Sequence, residues 1–147
     1  MRYFMYNLEE GTTREIQDYK WSKYRWVYTQ LISALKDDDI EPNGTVAVTD
    51  GYAFIATMAD VYSIDVILNH EIGHAVTGYD QGGEWQHGDE FQADAHAVEV
   101  VGKDRVLKVL YDLQRHLRWR NKYVRYADYS RMIDRLGERI RRIEQEA

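Results

Sequence analysis

The chain has 147 residues, 44% of them hydrophobic and 30% charged, a balance that suits one globular domain spanning 1–147 and excludes a disordered or fibrous polypeptide. It contains no cysteine, so disulfides, thiolate zinc sites, iron–sulfur clusters and cysteine nucleophiles are excluded, and a transition-metal site must draw on His and carboxylate. The net charge of -6 conceals ten Lys/Arg against three acidic residues between Arg115 and Arg142, with the rest of the chain strongly acidic. We read the basic stretch as a solvated helix lying against an acidic body, and no nucleic-acid partner is expected.

The stretch around Ala53–Ile67 is the longest apolar one and is broken by Asp60 and Asp65. It falls short of the ~20 residues of a membrane span. Met1–Tyr6 lacks the apolar region of a signal peptide. A cytoplasmic protein with no membrane partner is the expectation, and the sequence does not specify an oligomeric state.

Along the chain, Thr12-Thr13-Arg14-Glu15 has capping-box spacing and opens a helical pattern with Ile16, Tyr19, Tyr24, Val27, Leu31 and Leu35 near one face. Asp37–Asp39 and Pro42-Asn43-Gly44 close it in a loop. Thr45–Thr49 and Tyr52–Met58 are β-rich runs around Asp50-Gly51, a two-residue hairpin signal. Ser63 can cap a helix with Ile64, Ile67, Leu68, Ile72 and Val76 on its core stripe, stopped near Gly78. The first helix should pack on the back of this one.

Tyr79–Gly88 reads as a Gly-rich loop containing Trp85. Asp89 then caps a helix to about Val101, ended by Gly102. Two helices remain, one carrying Val106, Leu107, Leu110, Leu113 and Leu117, the other running from about Lys122 to Ile143. The fold class is α+β, mostly helical, with a small antiparallel sheet (a hairpin at about 45–58) before the helix that contains His70.

That helix contains His70-Glu71-Ile72-Gly73-His74. Residues i and i+4 share a helix face, so both imidazoles can converge on one ion, and zinc accepts them at ~2.0–2.1 Å. Glu71, one position on, is too far round to ligate easily but can reach a water on the metal, which is why this spacing points to hydrolysis. Burying two imidazoles in an apolar helix without a partner would be costly.

A third ligand is needed. Glu90 and Asp94 lie one turn apart; one carboxylate can close the tripod while the other supports a histidine N–H. The rivals are Asp80, which has metzincin spacing but Thr77 where that pattern wants glycine, and His87, flanked by loop glycines. Peptide deformylase uses a Cys in this role, and the chain has none. Glu90 is the preferred ligand.

HEIGH followed by EFQADAHAVEVVG resembles the gluzincin metallopeptidases of the HtpX and type I CAAX prenyl protease group, over roughly Val46–Gly102. The resemblance implies a zincin-like fold, Zn2+ on His70, His74 and Glu90, Glu71 as general base, and Asp94 supporting a ligand. Beyond Gly102 it thins: Tyr129-Ser130 stands where relatives carry His-Pro, and Arg135 keeps the following Arg spacing. Tyr129 is thus a candidate oxyanion donor, with His116 a weaker one. Most relatives have transmembrane helices; this chain looks like a minimal soluble version of their catalytic core.

The function expected is a zinc endopeptidase acting on a peptide or protein substrate, with a metal-activated water and Glu71 as base. The substrate would lie extended against the free edge of Tyr52–Met58, with Trp85 and its loop as a cleft wall. Two other classes compete. One is a stress-response regulator cleaving a single partner, against which Asp94 and the lack of room for a DNA-binding module speak. The other is a zinc-containing regulatory or host-factor-binding protein with little turnover, against which an intact Glu71 speaks.

Overall fold

The computed structural model describes residues 1–36, 43–79, 89–124 and 128–146. Its elements are β1 (Arg2–Asn7), β2 (Thr12–Ile16), α1 (Arg25–Leu35), β3 (Asn43–Thr49), β4 (Tyr52–Thr57), α2 (Ile64–Tyr79), α3 (Glu90–Val101), α4 (Lys103–Tyr123) and α5 (Ser130–Gln145). The fold is α+β and mostly helical, with an antiparallel sheet in the order β2-β1-β4-β3.

The sheet exceeds the expected hairpin because an N-terminal hairpin joins it. Thr12–Glu15 does not cap a helix. It belongs to β2, paired with β1 so that Tyr3 faces Ile16 and Tyr6 faces Thr13. Two β-branched threonines and Ile16 favour the extended backbone. Glu15 directs its carboxylate to Arg2, which donates twice at 2.8 Å, rather than to a helix N-terminus. The first α-helix therefore starts only at Arg25. The hairpin at Asp50-Gly51 forms as expected, with φ of 54° and 79°, the positive values its tight turn demands.

Side chains alternate across the sheet. Phe4 and Ile55 pack on Ile72 of α2, while Met5, Phe54 and Ala56 pack on Tyr28 and Leu31 of α1. Tyr28 fastens its layer by donating its hydroxyl to the Phe4 carbonyl at 2.7 Å. Thus α1 covers the sheet face opposite α2 instead of the back of α2. β4 lies between β1 and β3, so both its edges are paired, which overturns the expectation that a substrate adds to the edge of Tyr52–Met58.

A second core joins Val66 of α2 and Ala97 of α3 to Val106, Leu110 and Leu117 of α4 and Leu136, Ile140 and Ile143 of α5. Burying those three α5 side chains contributes roughly 5–9 kcal/mol, enough to fix which face of α5 points inward. α5 begins at Ser130; Lys122 and Tyr123 complete α4 instead. α3 starts and stops as its sequence predicts. Asp89 accepts from Gln92 N at 2.7 Å in a capping box, and Gly102 leaves the helix with φ 97°. Among the described residues no helix is long and apolar enough to cross a membrane.

Candidate metal centre

α2 is buried between the sheet and α3, and this gives His70, Glu71 and His74 a protected setting. Gly73 makes the α2–α3 contact close. A Cβ there would lie 2.8 Å from Ala93 Cα and 2.9 Å from the Ala93 carbonyl oxygen. Ala93 is flanked on α3 by Glu90, one turn earlier in the first helical turn, and by Asp94. The helix N-terminus is a favourable place for the Glu90 carboxylate.

His70 Nε2 and His74 Nε2 are 3.1 Å apart. Glu90 Oε2 lies 3.1 Å from the first and Glu90 Oε1 3.0 Å from the second. Donors on a tetrahedral zinc at ~2.0–2.1 Å stand roughly 3.3 Å from one another; each histidine has one Glu90 oxygen near that spacing, and one donor atom from each of the three residues lies within 4.8 Å of the others. Two imidazoles and one carboxylate are also the donor set that zinc takes in gluzincin-like catalytic sites, and the residues fit the ion. Asp94, 2% exposed, holds His70 from behind at 2.9 Å from Nδ1. That contact places the Nδ1 proton toward Asp94 and turns Nε2 into the triangle.

Arg139 of α5 completes the cluster. Its Nε and Nη2 donate to Asp94 Oδ2 and Oδ1 at 2.7 and 2.8 Å, and its Nη1 stands 3.3 Å from Glu90 Oε2. Burial alone would disfavour every charge here, but the pairing outweighs it. Burial lowers the His70 pKa, yet the bonds to Asp94 and Glu90 push it up to about 9. Burial likewise raises Glu90 and Asp94. His70 and His74 hold Glu90 well below the usual carboxylate range, and Arg139 with His70 lowers Asp94.

A cavity of about 230 Å³ opens on this cluster, walled by His70, Glu71, Glu90, Asp94, Arg139 and Asn43 at the start of β3. Glu71, 6% exposed, is thus placed beside the metal-donor atoms rather than on the outer helix face. The structure brings His70, Glu71, His74, Glu90 and Asp94 together. Tyr129 is not among the residues lining that cavity. It is buried in the core of α4 and α5, and its hydroxyl has no hydrogen-bond partner among the described residues. Arg135 and His116 are exposed. Asp80, His87 and Trp85 lie outside the described residues.

Two contributors were not singled out from the sequence: Gly73, which sets the helix approach, and Arg139. A signal for Arg139 exists. It falls three residues after Leu136 and four before Ile143, on the apolar stripe of α5, where a charge needs a buried partner. Comparison of the chain with family models, with curated proteins and with solved structures gave no match, and its function is read from the geometry of this centre.

Proposed function

We propose that the chain is a zinc-dependent endopeptidase of the gluzincin type. The observation that carries this reading is the convergence of His70, His74 and Glu90, with nitrogen–nitrogen and nitrogen–oxygen contacts of 3.0–3.1 Å, beside a cavity whose wall includes His70, Glu90 and Glu71. A purely structural site has no need of a carboxylate base at its open side.

When bound, zinc supplies Lewis acidity toward the scissile carbonyl and makes water more acidic. The chain's own residues do the rest. Glu71 accepts the proton of the attacking water and passes it to the leaving amine. Asp94 keeps the His70 ring in one orientation, and Arg139 neutralises Asp94 so that a buried carboxylate can remain charged at the back of the site. An extended peptide would find β3 as the outer strand of the sheet, since β4 is paired on both sides.

Elemental analysis and casein cleavage test this together on wild type, Glu71→Gln and Glu90→Ala. About one zinc per chain with cleavage in wild type is expected. Glu71→Gln should retain zinc and lose cleavage, and Glu90→Ala should lose both. Cleavage by Glu71→Gln would refute the assignment of the base, and zinc without wild-type cleavage would favour a binding protein.

A further inference from the structure

The two oxygens of Glu90 are not equivalent. Oε1 faces His74 Nε2 at 3.0 Å, whereas Oε2, besides facing His70 Nε2 at 3.1 Å, has the Arg139 guanidinium at 3.3 Å. Arg139 cannot drift from this position, because two further N–H groups are committed to Asp94 at 2.7 and 2.8 Å. Its fork is rigid and planar, so fixing Nε and Nη2 also fixes Nη1. The guanidinium side chain is 15% exposed, and water competes little for these contacts.

We propose that Arg139 is a positioning residue that makes Glu90 present one oxygen to the metal. Paired with the charge at Nη1, Oε2 is drawn toward the guanidinium and Oε1 is the donor atom. A carboxylate without such a partner can turn both oxygens to a cation. Zinc with two imidazoles and one carboxylate oxygen keeps its fourth position for water or substrate, as a hydrolytic site requires. With both oxygens engaged, that position is crowded. Charge agrees with this role: Glu71, Glu90 and Asp94 bring three negative charges to the cavity wall, which a divalent ion and Arg139 together offset. The inference rests on the proposed metal reading of the site.

Visible absorption of the cobalt(II)-loaded protein separates the two ideas, because d–d bands weaken markedly from four- to five-coordination. The probe is cobalt(II) alone, added to metal-free wild type, Arg139→Met, and the double variant Arg139→Met/Asp94→Asn. The double variant leaves no buried carboxylate stranded and keeps an acceptor for His70, so it serves where the single variant does not fold. Intense four-coordinate bands are expected for wild type. Both folded variants should show the weaker five-coordinate spectrum, with metal affinity changed about ten- to a hundredfold. A wild-type spectrum in either folded variant overturns the role of Arg139 while leaving the metal site standing. Wild type that takes up no cobalt overturns the metal site itself, and the inference with it.

Discussion

Replacing Gly73 by Ala tests whether the approach of two helices sets the donor spacing. The new Cβ would sit 2.8 Å from Ala93 Cα, 2.9 Å from the Ala93 oxygen and 3.0 Å from His96 Cβ. Carbon–carbon contacts are comfortable at about 3.5–4.0 Å, so α3 must retreat by at least about 0.7 Å, and no flexible side-chain tip can absorb the strain. Glu90 and Asp94 ride on α3 while both histidines stay on α2, so the 3.0–3.1 Å contacts between Glu90 and the histidines would lengthen toward about 4 Å. Overpacking costs about 1–3 kcal/mol, and replacing glycine in a helix interior returns about 1 kcal/mol, which leaves a net loss of roughly 0–2 kcal/mol. The variant should therefore fold with a modest loss in urea midpoint, yet bind zinc more than about tenfold more weakly in competition with a chromophoric chelator. Wild-type zinc affinity in a folded Gly73→Ala would refute the idea that this contact positions Glu90.

Asp94→Ala should lose roughly 3 kcal/mol in the metal-free protein, the lower end for breaking a buried ion pair, because Arg139 keeps its contact with Glu90; chemical denaturation reads this directly. A loss under about 1 kcal/mol would mean that Arg139 finds water instead. Tyr129→Phe removes a buried hydroxyl that has no hydrogen-bond partner among the described residues, so stability should hold or rise and casein cleavage should persist; loss of cleavage with intact stability would restore Tyr129 as an oxyanion donor. His70 at about 9 is protonated in the metal-free protein at pH 7, so zinc must displace that proton. Apparent zinc affinity should rise about tenfold per pH unit up to pH 9, with about one proton released per ion in calorimetry across buffers. The same sign applies to folding. Stability from the charged His70 is present below its unfolded value near 6.5 and is lost as pH rises through 9.

Local features of this protein were legible because they are settled within a few residues. The i, i+4 spacing of His70 and His74 places both rings on one face of any helix, Asp89 and Gln92 close their own capping box, and Asp50-Gly51 meets the turn's demand for positive φ. Local patterns also misled. Thr12–Glu15 satisfies a capping box on paper, but the segment gains more by pairing with β1, and that partner's strand character shows only once both β4 and α1 cover it. What tertiary structure alone decided is which side chains meet across long stretches of chain. Arg139 lies 45 residues from Asp94, and the burial of Leu136, Ile140 and Ile143 delivers it there. β4 is internal because an N-terminal hairpin claims one edge and β3 the other. The sequence by itself determined which residues could hold a metal. The closeness of α3 to α2, permitted by a missing Cβ at Gly73, decided that they lie at metal-holding distance.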